Sequence, residues 1–203
     1  MDIDKNIFYQ NFSKEFLDNV HNNKVKAIEL SENKEINKRF YYNLSNYAGR
    51  TEDAQFVNFL DLYPTNVIIL DYVLKNIDKF RSKTWLDFGC GLGMLMVYLN
   101  SLGIDCYGYD NWSFFLNKDD SINFLKNYNN LENKLVSIDE VYEKSNIWFS
   151  TSSSGIWNEL DFSKFNNLKY IFDDSMYKAK NEIEKLGFNV ILNNKLIRIL
   201  KRK

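Results

Sequence analysis

Histidine, proline, cysteine and net charge are all scarce in this chain, and each shortage excludes something. His21 is the only histidine and lies in a polar stretch, which suits an exposed structural position. The run Ser152-Ser153-Ser154-Gly155 has no histidine near it in sequence to activate a serine, so it reads as a loop. One proline and 8 glycines leave no segment with the composition of a linker. Cys90 and Cys106 are too few for a disulfide framework. No apolar run approaches the ~18 residues that span a bilayer, and the acidic start Met1-Asp2-Ile3-Asp4 lacks the apolar core of a secretory signal. A soluble, cytoplasmic protein with no membrane partner is the expectation. Lys plus Arg is 26 against 27 for Asp plus Glu, a net charge of −1. That balance supplies no global attraction to nucleic acid, though it leaves room for a local basic patch.

Apolar residues are abundant enough for a core: 45% of 203 residues, with 13 Tyr and 16 Phe. The first eighty residues read as helical. Phe12 to Leu30 is amphipathic, Thr51-Glu52-Asp53 places a cap and acidic residues before Ala54, Val57 and Leu60, and Pro64 is expected to end that helix. Thr65 to Phe80 then presents a broad apolar face. From Lys83 the pattern becomes strands alternating with helices, the mark of a parallel sheet covered on both faces. Strands are expected at Thr84–Phe88, Asp105–Tyr109, Lys134–Ile138, Ile147–Thr151 and Lys169–Phe172, and helices at Met94–Ser101, Ile122–Tyr128 and Met176–Leu186. Asn189–Leu192 and Leu196–Leu200, joined around Asn193-Asn194, read as a closing antiparallel hairpin. The expected organisation is thus a helical N-terminal extension over residues 1–80 and an α/β domain over 81–203.

Two short motifs carry chemistry. Trp85-Leu86-Asp87-Phe88-Gly89-Cys90-Gly91-Leu92-Gly93 joins the first strand to its helix, with glycines at alternate positions that let the backbone turn tightly against a ligand. Asp87 places a carboxylate in an apolar central strand, which is costly without partners; loop N–H groups or the ammonium of a bound amino acid would supply them. The second motif, Cys106-Tyr107-Gly108-Tyr109-Asp110, ends the next strand on an acid about 20 residues after the glycines, where a ribose diol needs a two-acceptor partner. The dinucleotide fingerprint G-x-G-x-x-G is not met, because Met94 stands where its last glycine belongs.

These residues resemble motifs I and II of the class I S-adenosylmethionine-dependent methyltransferases, a Rossmann-like superfamily whose sheet ends in an antiparallel hairpin. The resemblance is specific over Trp85 to Asp110 and follows element order from Lys83 to Lys203. It implies S-adenosylmethionine as cofactor, held by the loop Gly89, Cys90, Gly91 and Gly93, with Asp87 anchoring the loop or the methionine amine and Asp110 on the ribose hydroxyls. Asn111 and Trp112 then stand where adenine packs. Asp139 stands at its amino group, with a helix start as the competing role. Ser150 would border the methionine moiety, and Thr151 the acceptor.

Phe40, Tyr41, Tyr42, Tyr47 and Arg50 precede the core and offer either packing for the extension or a lid, with Tyr42 and Arg50 as acceptor contacts. Asp173-Asp174 lacks the acidic partner after the fourth strand that a metal-dependent methyltransferase needs, so no metal is expected. Arg198, Lys201, Arg202 and Lys203 read as a solvated end. The acceptor is expected to be a small molecule or sugar by elimination, since the Asn/Asp-Pro-Pro-aromatic and paired-cysteine signatures of DNA methyltransferases are absent, and nucleic acid is disfavoured. A cofactor-binding module without catalysis, acting as a sensor or subunit partner, is the alternative.

Overall fold

The computed structural model describes residues 8–32, 62, 64–112, 118–150, 160–174, 186–193 and 197–203. Tyr42, Arg50, Thr151 and the expected helices at 51–60 and 176–186 lie wholly or almost wholly outside them. The described residues fall into two compact units.

The smaller unit contains helix α1 (Lys14–Glu32), the stretch Gly91–Met94 and helix α5 (Lys118–Tyr128). Phe8, Phe12 and Phe16 recur at helical spacing and their rings follow one another at 5.5 Å. His21 is exposed on α1.

The larger unit is built on one sheet. Helix α2 (Pro64–Leu74) begins at Pro64, where proline's fixed φ and missing N–H suit the first helical position; the helix expected to end there lies outside the described residues. The Asn76 amide donates to the Tyr72 carbonyl at 2.8 Å, and the chain breaks there before the short α3 (Ile77–Phe80). Strand β1 (Trp85–Phe88) is buried at all four residues, as a central parallel strand must be. Helix α4 (Met94–Ser101) closes on Gly103 at φ +72, with Gly103 N–H on Asn100 O (3.0 Å) and Ile104 N–H on Leu99 O (3.1 Å). Asn100 also donates to the Cys106 carbonyl at 3.1 Å, pinning α4 to strand β2 (Cys106–Tyr109).

The expected strand Lys134–Ile138 does not form. Only Leu135 makes a bridge, to Gly108, before Ser137 and Glu140 close a capping box that turns the chain into helix α6 (Ile138–Val141). The Ser137 N–H donates to Glu140 Oε2 at 2.9 Å, so the local cap overrides the apolar alternation. Strands β3 (Ile147–Ser150) and β4 (Tyr170–Asp174) continue the parallel set; β5 (Phe188–Asn193) and β6 (Ile197–Arg202) are antiparallel.

The order β2-β1-β3-β4-β6-β5 inserts the last strand between its hairpin partner and the parallel set. This is the Rossmann-like sheet with a closing hairpin that the class I resemblance implies, with four parallel strands among the described residues where five were expected. One face packs Trp85, Tyr170 and Phe172 against Phe80 and Tyr72 through ring contacts of 5.0–6.1 Å. The other packs Leu86, Phe88, Ile171 and Leu200 against Val141, Phe165 and Leu168. Each such side chain contributes about 1.5–3 kcal/mol by leaving water. No described helix is long and apolar enough to cross a membrane.

Candidate functional site

Strand β1 delivers Asp87 and then Gly89 to the carboxyl edge of the sheet, where open α/β sheets bind their ligands. Asp87 is 4% exposed. Burial, with a smaller contribution from the nearby Asp110 charge, pushes its carboxyl up to about 8. Near neutral pH the site therefore holds a proton that an arriving cation would displace.

Gly89, Gly91 and Gly93 all take left-handed backbone angles, φ +81, +51 and +75, so a side chain at any of them would strain the turn. The Gly89 and Cys90 N–H groups both donate to the Tyr109 carbonyl, at 2.7 and 3.1 Å. Those two bonds tie the loop after β1 to the end of β2, one residue before Asp110. The Phe88 and Tyr109 rings stack at 5.2 Å beneath the junction. The two sequence motifs are thus brought together, with Asp110 half-buried beside the loop.

Gly108 makes the arrangement possible. It is opposite Asp87 in the ladder, and a Cβ there would lie 2.9 Å from Cβ and Sγ of Cys90 and would collide with Met96 Sδ. Cys90 fills that gap. Both cysteines are buried, and burial raises both thiols well above their ordinary range, so neither is a nucleophile. Sequence reasoning gave no role to Gly108, although a glycine inside a strand pattern signals close approach. It also missed Asn129, whose amide donates to the Leu92 carbonyl at 2.9 Å within the smaller unit; no sequence signal marks that residue.

Trp112, two residues beyond Asp110, is buried and left-handed at φ +62, a rare conformation for a bulky residue. Asn111 is half-buried. Asp139 is exposed in the first turn of α6, where its charge suits the helix start. Ser150 ends β3 in register with Asp173 of β4.

Arg198 is not part of a solvated end. It is 5% exposed and holds Asp173 through two bonds, Nε to Oδ1 at 3.0 Å and Nη2 to Oδ2 at 2.6 Å. Burial raises the Asp173 carboxyl, and the guanidinium pulls it back down.

No family model matches the chain, and no curated protein gives a significant match. Among solved structures, magnesium protoporphyrin IX methyltransferase from Synechocystis PCC 6803, with S-adenosylmethionine bound, is similar at 14% identity and TM-score 0.48 over 89% of this chain and 97% of that one. A candidate RNA methyltransferase from Pyrococcus horikoshii is similar at 18% identity and TM-score 0.47, over 71% and 86% of the two chains. A candidate tRNA (m1A22) methyltransferase from Streptococcus pneumoniae is similar at 13% and 0.42, over 64% and 68%. The expectation that nucleic acid is disfavoured as a partner is corrected: the last two carry the names of RNA methyltransferases, and a net charge of −1 describes the whole surface rather than any one part of it.

Proposed function

We propose that the chain binds S-adenosylmethionine at the carboxyl edge of β1 and β2 and transfers its methyl group to an acceptor. One observation carries the reading. A buried carboxylate, Asp87, stands on a central strand that exits through three left-handed glycines, and the first turn of that exit is bonded to the strand delivering Asp110.

The residues fit such a cofactor. The glycine turn holds left-handed angles that side chains would strain, and Asp87, raised by burial, is a partner for an ammonium. Asp110 offers two acceptors to a ribose diol. Asn111 and Trp112 are assigned to the adenine side; the left-handed tryptophan holds a conformation costing about 1–3 kcal/mol, the kind of strain that clusters at ligand sites. Ser150 and Thr151 are assigned to the methionine end and the acceptor, and Tyr42 and Arg50 to the acceptor. Asp139 is assigned to the first turn of α6, where its charge suits the helix start, rather than to adenine.

When bound, the cofactor supplies a methyl group already activated by its sulfonium. The chain then has to hold donor and nucleophile in line at about 3–3.5 Å. A general base is needed only where the nucleophile arrives protonated, so scarcity of histidine does not oppose the reading.

The test is transfer of a labelled methyl group to a panel of small molecules, sugars and RNA. Transfer to any class supports an enzyme and names its acceptor. Binding of S-adenosylhomocysteine with no transfer would assign the chain to a non-catalytic module. Absence of binding would overturn the reading.

A further inference from the structure

The sheet has a second edge. The parallel strands begin there, β6 ends there, and the residues that converge on it are strongly basic. Lys83 precedes β1 by two residues, Lys169 immediately precedes β4, and β6 ends in Lys201-Arg202 with Lys203 next. The register Trp85 to Ile147, Ile147 to Tyr170 and Tyr170 to Lys201 aligns these starts and that end on one line. Backbone bonds run along the line: Asn146 N–H to Thr84 O at 3.0 Å, Lys169 N–H to Asn146 O at 2.7 Å, Arg202 N–H to Lys169 O at 2.9 Å and Lys203 N–H to Gly187 O at 3.0 Å. The rim is therefore as fixed as the sheet.

Helix α3 adds to it. Lys79 Nζ lies 4.8 Å from the centre of the Tyr170 ring, and Tyr170 is the cross-strand partner of Lys201. Arg81 follows in sequence. Lys79, Arg81, Lys169, Lys201, Arg202 and Lys203 are all exposed. The carboxylates nearby are fewer. Asp78 lies in α3, Asp105 is bonded to Lys134 at 2.5 Å, and Glu143 is next in sequence to Lys144. From Lys83 before β1 to the end of β6 the cations span three strand spacings, about 14 Å at ~4.8 Å each.

We infer that this amino-end rim is a docking surface for the phosphate backbone of a nucleic acid. A line of cations about 14 Å long, most of them exposed, exceeds a single phosphate and matches the rise of roughly four steps along one strand at ~3.4 Å. A membrane surface fits less well. Peripheral binding to lipid pairs basic residues with apolar side chains that enter the bilayer, whereas the exposed large apolar residues among those described are Val25 on α1 and Val190 and Ile191 inside β5, none on the rim.

The experiment is fluorescence anisotropy of the full chain with a labelled single-stranded RNA of about 20 nucleotides and a DNA duplex of like length, from about 50 mM salt upward. Wild type should bind at low salt, with log affinity falling linearly against log salt. The triple variant Lys79→Gln, Lys201→Gln, Lys203→Gln should bind at least about tenfold more weakly, with a slope shallower by about two for RNA, at ~0.7 per lost phosphate contact. Lys118→Gln with Lys126→Gln, exposed on α5, should leave binding unchanged. Melting temperatures verify folding, and S-adenosylhomocysteine affinity, measured separately, should be the same in all three proteins. A triple variant with wild-type affinity and slope overturns the inference. So does absence of binding at low salt, or binding to vesicles of phosphatidylserine and phosphatidylcholine in the absence of any binding to nucleic acid. None of these outcomes touches the cofactor reading, whose titration is independent.

Discussion

Asp87 is where the account is most exposed to measurement. With its carboxyl near 8, about nine in ten molecules carry a proton there at pH ~7, one unit below. An ammonium bound against Asp87 requires the charged form, so binding should release nearly one proton per ligand. Calorimetry of S-adenosylhomocysteine in buffers of different ionisation enthalpy reads that proton directly. Log affinity should rise by nearly one unit per pH unit between about 6 and 8, because removing the proton costs about 1.4 kcal/mol per unit below 8. Stability should run the opposite way. The carboxyl is raised on folding, so between about 4 and 8 the folded state binds more protons than the unfolded chain, and this group's contribution is lost as pH rises through that window. Asp87→Asn removes the titration. Its melting temperature relative to wild type should climb from pH ~5 to ~8 by an amount worth at most about 1.4 kcal/mol per pH unit, while its affinity for the ligand falls by about 1.5–3 kcal/mol and the released proton disappears. Parallel stability profiles for the two proteins, or ligand binding with no proton released, would refute the reasoning.

Three further substitutions probe the parts around it. Asp110→Ala should weaken S-adenosylhomocysteine binding by about 1.5–3 kcal/mol with a near-native melting temperature, since a half-buried acceptor is lost and no core is opened. Gly108→Ala should cost about 1–3 kcal/mol by chemical denaturation and also weaken binding, because the added methyl presses on Cys90 and Met96 behind the loop. Arg198→Met should cost about 3–5 kcal/mol by stranding the Asp173 charge, with the loss shrinking at acid pH as that carboxyl takes up a proton; a loss that stays constant with pH would show that Asp173 finds another partner.

What was legible in the sequence was whatever depends on a local pattern. The strands through Trp85, Cys106, Ile147 and Tyr170 are near-continuous apolar runs, and Met94–Ser101 is a clean helix between glycines, so period and punctuation sufficed. The hairpin was readable because β5 and β6 are close in sequence. Lys134–Ile138 failed because its alternation was weighed without the Ser137 and Glu140 pair, whose capping bonds turn the chain away after the single bridge at Leu135.

At the site, Asp87 and the glycines announced themselves by chemistry that is costly where it stands. The bonds from Gly89 and Cys90 to Tyr109 could not be read, since they join backbone atoms twenty residues apart. Arg198 was hidden for a similar reason. Beside Lys201 and Lys203 it looks like part of a charged tail, and only the strand order, which puts β6 against β4, shows that it meets Asp173. The basic rim is likewise a product of topology, gathering basic residues around Lys79, Lys169 and Lys201 that lie far apart in sequence.

The central claim is that the carboxyl edge of β1 and β2 holds S-adenosylmethionine, and one titration tests it most directly. Thermal-shift titration with S-adenosylmethionine, S-adenosylhomocysteine and NAD compares binding to the folded state on equal terms. The account predicts a saturable rise in melting temperature with both sulfur ligands, none with NAD, and loss of the rise in Gly91→Val, where a branched side chain would force a left-handed backbone into strain. A rise with NAD alone, or an undiminished rise in Gly91→Val, would contradict it.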